Sequence, residues 1–248
     1  MELASSILTI NQPLLAEIEV GKQFLWHLGP FTVHGQTMLT TWVVMALLVG
    51  LAFLGTQKLQ RIPSTFQNFL EYSYDLLAGI ARGQIGEKDY RAYVPLVGTI
   101  FLFVLFSNWL GQLPLKLLHL PESELASPTN DINTTVALAL IALVAYLFAG
   151  IRKSGGGYFT HHLSSPILSF VWVLDLITRP LSLSLRLFGN ILAEELVIGV
   201  LVLLAPLLVP APLMVLFLLT GAIQALVFSS LTAFYIGEAV EEHGDEHH

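Results

Sequence analysis

Apolar residues in this chain run in long blocks separated by short polar stretches. A helix that crosses a bilayer needs about 20 mostly apolar residues. Blocks of that kind cover 38–55 (MLTTWVVMALLVGLAFLG), 94–115, 134–151 and 212–238. A further block, 166–205, is about twice as long. As one helix it would extend about 60 Å, against a hydrocarbon layer of about 30 Å. A straight crossing would then need a tilt of about 60°, outside the usual range of about 0–40°. A break near Thr178-Arg179-Pro180 is the alternative. No Gly or Asn follows to make a turn there, and Leu181–Leu187 continues the helical spacing. One inclined helix, bent at Pro180, is therefore expected, with Pro206, Pro210 and Pro212 supplying the turn before the last block.

Residues 63–82 (PSTFQNFLEYSYDLLAGIAR) behave differently. Phe66, Phe69, Leu70, Leu76, Leu77 and Ile80 recur at helical spacing, while Glu71, Asp75 and Arg82 make the segment too polar to span. The pattern predicts an amphipathic helix at the membrane surface or against a partner, with a helical soluble loop as the alternative. The fold class expected is an all-α integral membrane protein with five crossings plus this helix, a single membrane domain over 1–248. Residues 1–37 form an N-terminal segment without the shape of a cleaved signal peptide, and 239–248 a mobile tail.

Basic residues in short loops set the orientation. The loop after the first block holds Lys58, Arg61, Arg82, Lys88 and Arg91, and that after the third holds Arg152 and Lys153. The loop between the second and third has only Lys116 beside Glu122, Glu124 and Asp131. The first and third loops and the C-terminus therefore belong on the cytoplasm-like side, and the N-terminus on the opposite side.

Composition agrees with this class. Of 248 residues, 54% are hydrophobic and 12% charged, against about 25% charged in a soluble domain, and the mean hydropathy is +0.72. The net charge of −7 resides in loops and tails, and no basic run suggests nucleic acid. Without cysteine there is no disulfide or thiol chemistry. No GxxxxGK[ST] loop offers a nucleotide site, so no direct nucleotide binding and no ATP-hydrolysing site are expected in this chain. His161-His162 and the tail EEHGDEHH are weak metal candidates, since adjacent histidines suit neither helical nor strand ligand geometry. No cofactor or metal is expected. The stretch SGGGYF (Ser154–Phe159) reads as a loop.

The chemistry worth explaining is SLRLFGNILAEEL (Ser184–Leu196), which puts an arginine, an asparagine and two glutamates inside apolar sequence. A charge there costs from about 2.5 to more than 10 kcal/mol and marks function by default. Arg186 is far from both ends of its block, so it cannot easily reach the interface. Glu194 is about 80° around the helix and Glu195 is on the opposite face. Neither has the i+3 or i+4 spacing that lets side chains meet. Asn190 does, but carries no charge. Arg186 is thus expected either to find its counter-charge elsewhere, foremost on another subunit, or to face a watery cavity. Asp175 and Arg179, at i and i+4, suit a salt bridge, with Asp175 also a candidate for lining a water path. Glu194 and Glu195 are carboxyl groups suited to passing protons near neutral pH. Gln224, on the final block, can return beside Arg186.

RPLSLSLRLFGNILAEEL (Arg179–Leu196) together with IQALVFSSLTAFYIGEAVEE (Ile223–Glu242) closely resembles subunit a of the rotary F-type ATP synthase, nearest its plastid and cyanobacterial branch. The resemblance implies a stator wall beside a rotating ring of c subunits, with peripheral-stalk b/b'-type subunits as further partners and no nucleic acid. It implies that the last two helices form a long, strongly tilted hairpin, and that two half-channels open to opposite sides of the membrane. Arg186 matches the family's essential arginine, facing the ring carboxylates. Asn190, Glu195 and Gln224 match polar positions of the lumen-side path, and Glu194 a variable, often ionisable one. Asp175 is assigned to the exit path. A histidine present on the last helix of some relatives is replaced here by Phe217, and Glu194 is expected to cover its role. A thylakoid membrane, with a lumenal N-terminus and stromal C-terminus, completes the expectation. A transporter would instead show an internal repeat and broken helices, an intramembrane enzyme a nucleophile or metal constellation, and a purely structural subunit would leave Arg186 unexplained.

Overall fold

A computed structural model describes residues 25–28, 31–57, 64–112, 127–155, 158, 165–204 and 210–241. Strands β1 (Leu25–Leu28) and β2 (Phe31–His34) pair antiparallel, Leu25 opposite His34. This small hairpin is the one departure from an otherwise helical chain among the described residues. Among the described residues six α-helices follow: α1 (Gly35–Thr56), α2 (Thr65–Ile85), α3 (Tyr90–Gln112), α4 (Ile132–Ser154), α5 (Pro166–Leu204) and α6 (Pro210–Glu241). All except α2 are long and apolar enough to cross a membrane, which gives five candidate spans.

Local chemistry explains several boundaries. The hydroxyl of Ser64 accepts from the backbone N–H of Gln67 at 3.4 Å and caps α2, a role for which serine is strongly suited. At the other end Gly86 takes φ +89°, open to glycine without strain, and its N–H donates to the Arg82 carbonyl. Asp131 caps α4 by accepting from Asn133 N–H at 2.9 Å, and Arg152 and Lys153 complement the helix dipole in its last turn. Helix α5 runs unbroken for 39 residues with Pro180 inside it. No Gly or Asn stands directly after Pro180, where Leu181–Leu187 keeps the helical spacing, so the proline costs a backbone hydrogen bond without ending the helix. Helix α6 continues to Glu241, past residue 238, and Ala239 and Val240 are buried there. The expected mobile tail is thus helical in its first three residues. His161, His162, residues 113–115 and 242–248 lie outside the described residues.

Helix α6 is the central post, packing on α2, α3 and α4, while α5 lies chiefly on α4. One apolar core joins Val104 of α3, Ala142 of α4, Leu187 of α5 and Phe228 of α6. A second gathers Ala81 and Ile85 of α2, Val97 of α3 and Ile236 of α6. At the α2–α6 crossing Gly237 meets the backbone carbonyl of Gln84 so closely that a Cβ would overlap it. Loss of a side chain there lets the amphipathic helix clasp the end of the bundle. Helix α1 buries little of its surface, and Trp42, Val49, Phe53 and Leu54 are exposed. Such side chains are at home in hydrocarbon, not in water.

Candidate functional site

The polar residues of α5 form one row. Asp175, Arg179, Ser182, Arg186, Asn190 and Glu194 follow at spacings of three or four. At about 100° per residue the first five fall within about 40° of Arg186, and Glu194 about 80° around. The two ends of the row turn into the protein, and its middle does not.

At the first end, the Arg179 guanidinium binds two carboxylates. Nη2 donates to Asp175 Oδ2 at 2.8 Å and to Glu238 Oε1 at 3.0 Å, while Nη1 lies 2.9 Å from Glu238 Oε2. Its plane is enclosed by the rings of Tyr146 at 5.0 Å and Tyr235 at 4.9 Å, both favourable cation–π distances. Tyr146 is held in turn by Tyr158, whose hydroxyl donates to the Tyr146 oxygen at 3.1 Å. Tyr158 is fully buried against Gly150, a position where any side chain would collide with its ring. Tyr158 thus sets one aromatic ring against the bundle. This knot ties α4, α5 and α6 together about two turns below Arg186. It realises the Asp175–Arg179 salt bridge and adds Glu238.

In the middle, Arg186 is exposed, and among the described residues it donates only to Ser182 Oγ, at 3.4 Å. Among the described residues it makes no ion pair. Exposed apolar side chains also stand on both helices: Leu181 and Leu185 of α5 and Ile223 and Leu226 of α6 are all more than 40% exposed. One turn on, Asn190 Nδ2 donates to Gln224 Oε1 at 2.9 Å, joining α5 to α6.

At the far end the row enters the bundle again. Glu194 is 7% exposed. Its Oε2 accepts from Gln112 Nε2 of α3 at 2.9 Å and its Oε1 from Thr220 Oγ1 of α6 at 2.5 Å. Glu195 points elsewhere and accepts from Asn130 Nδ2, in the short 3-10 turn Pro128–Asn130. Within that turn, Thr129 donates to Asn108 Oδ1 at 2.7 Å, and Asn108 Nδ2 donates to the Gly221 carbonyl at 3.1 Å. Amides and hydroxyls line this end of α3, α5 and α6, and each brings donors and acceptors that a proton-carrying group needs.

Of the residues singled out in sequence, Asn190 and Gln224 are in direct contact, and Glu194 and Glu195 diverge to separate partners. Asp175 is about 16 Å along the helix from Arg186, at the opposite end from the glutamates. Gln112, Asn130, Thr220 and Glu238 were not anticipated. Asn108 and Gln112 are polar residues four apart near the end of an apolar block, and Thr220 and Gln224 are polar residues four apart inside the last one; that spacing was a usable signal. Among the described residues no three His, Asp or Glu gather as a metal site.

Comparison with known proteins gives a consistent picture. The family described as ATP synthase A chain matches residues 38–237. A protein named ATP synthase subunit a from Gloeobacter violaceus is 74% identical over 247 residues, covering all of both chains.

Proposed function

The chain belongs to the ATP synthase A chain family, and on that premise we propose that it is the stator wall against which a ring of carboxylate-bearing c subunits turns, coupling proton flow to ATP synthesis. The observation that carries this reading is the state of Arg186: a permanent cation, exposed on an apolar flank, with no anion of its own chain among the described residues. Left facing lipid, it would bear the full cost of a charge in hydrocarbon. A partner that brings a carboxylate past it removes that cost.

The mechanism follows from the row on α5. Protons arrive from the lumen-like side past Glu195, Glu194, Asn190 and Gln224 and neutralise a ring carboxylate. A neutral site can turn into lipid, whereas a charged one cannot. After most of a revolution the site reaches the opposite half-channel. There Arg186 favours the ionised carboxylate, and the proton leaves toward the cytoplasm-like side by Asp175. The fixed guanidinium also bars a direct leak between the half-channels, since a positive charge repels a migrating proton. Each proton contributes about 2.3 kcal/mol per 100 mV. Length supports the same geometry: 39 residues of α5 and 32 of α6 reach about 58 and 48 Å, so both must incline steeply within the layer and together make a tilted wall. The basic residues of the first and third loops favour a C-terminus on the cytoplasm-like side, and the exposed face of α1 suits peripheral-stalk helices.

The test is substitution of Arg186. Arginine stays protonated where a lysine can lose its proton. Arg186→Lys should abolish proton-driven ATP synthesis in a complex that still assembles, and Arg186→Ala should in addition let protons pass without rotation. Normal synthesis in either variant overturns the reading.

A further inference from the structure

We propose that Thr220 is a hydroxyl switch that keeps Glu194 satisfied in both of its protonation states, which makes this threonine a working part of the proton path. The proposal rests on the reading of Glu194 as a proton carrier. Thr220 Oγ1 lies 2.5 Å from Glu194 Oε1 and 3.0 Å from the backbone carbonyl of Phe217, one turn back on α6. Both neighbours are acceptors when Glu194 is ionised, yet a threonine hydroxyl has one hydrogen. It can serve only one of them at a time.

Two arrangements satisfy this geometry. With Glu194 ionised, Thr220 donates to Oε1. With a proton on Oε1, the acid donates to Oγ1 and Thr220 turns its hydrogen to the Phe217 carbonyl, a bond that helical threonines readily make. Rotation about one C–O bond converts the first into the second, and Thr220 neither gains nor loses a proton overall. The proton comes to Glu194 from the lumen-like side and leaves to the next acceptor. A buried polar group left without a partner is costly, so a carboxyl that must be charged in one step and neutral in the next needs a neighbour able to reverse its role. Gln112 cannot do so from where it stands: its Nε2 donates to Oε2, and it would have to turn its amide over to accept. Gln112 and Thr220 are both neutral, and the adjacent carboxyl, Glu195, is engaged with Asn130. The switch also occupies the turn of α6 that begins at Phe217, a position whose own side chain can neither donate nor accept.

The test uses the assembled complex reconstituted in liposomes. Thr220→Val keeps the shape and removes the hydroxyl; proton conduction through the membrane sector should fall roughly tenfold, and Thr220→Ser should restore most of it. Infrared difference spectra supply a second readout. The carbonyl band of neutral Glu194, identified by its loss in Glu194→Gln, should shift in Thr220→Val because the acid loses its acceptor. Unchanged conduction and an unmoved band in Thr220→Val, with Glu194→Gln still slowing flow, would overturn the switch and leave the path intact. Equal loss in the Ser and Val variants would also overturn it, since the hydroxyl would then not matter. A shifted band with no effect of Glu194→Gln on conduction would show the hydrogen-bond exchange but refute Glu194 as a carrier, and with it the place of Thr220 in the path.

Discussion

Replacing Arg179 by methionine keeps a long side chain and removes the guanidinium from the α4–α5–α6 knot. The consequence can be worked from its contacts. The Arg179 side chain is 14% exposed and faces carboxylates that are 36% and 32% exposed. Removing one partner of a fully buried ion pair costs about 3–5 kcal/mol, because a charge is left uncompensated. Partial exposure of Asp175 and Glu238 screens that penalty to about 2–3 kcal/mol. Loss of the cation from between Tyr146 and Tyr235 adds about 0.5–1 kcal/mol for each ring. The total, about 3–5 kcal/mol, is a large share of a stability that is usually about 5–15 kcal/mol. Arg179→Lys should cost about half as much, since an ammonium cannot fork across two carboxylates and lie flat between two rings. Thermal unfolding of the purified complex in mild detergent measures the order: wild type, then Lys, then Met. Because Pro180 follows directly, slackening here should also misplace Arg186 and lower coupled synthesis before the fold is lost. A methionine variant as stable and as well coupled as the wild type would refute the reasoning.

Other consequences are independent of the knot. Gly237→Val should push Gln84 and α2 away from α6 at a cost of about 1–3 kcal/mol or more, read as a lowered unfolding temperature; Gly79→Ala, where a Cβ meets nothing within 4 Å, should be neutral or slightly stabilising. A double-mutant cycle on Asn190→Leu and Gln224→Leu should return a coupling of about 0.6 kcal/mol, with about 1.7 as the upper end; zero coupling would show that their hydrogen bond does not join the two helices. Tyr158→Phe keeps the ring against Gly150 and loses only the hydroxyl, so it should unfold within about 1 kcal/mol of wild type, whereas Gly150→Leu should collide with that ring and prevent stable assembly.

Much of the architecture was legible in the sequence because membrane helices announce themselves by length and composition. The continuity of α5 through Pro180 followed from the helical spacing of Leu181–Leu187, and the structure keeps it as one helix. The N-terminal hairpin did not follow, since LWHL and FTVH are too short to separate from loop by periodicity. For the site, the row on α5 was readable because i and i+4 positions share a face. What spacing could not give was the partner on another helix. Glu238 meets Arg179 across 59 positions and Gln112 meets Glu194 across 82, and such pairs depend on which faces the bundle turns together. Tyr158 shows the same limit. Its loop carried no chemical signature, and its role depends on Gly150 leaving room for a ring.

The most direct test of the central claim is a side-chain-resolution structure of the assembled membrane complex, read at Arg186. The account predicts that its guanidinium faces a ring carboxylate of a neighbouring subunit, with no carboxylate of its own chain within salt-bridge distance. Finding Arg186 paired with an acid of its own chain, or turned toward lipid on a face no rotor touches, would contradict it.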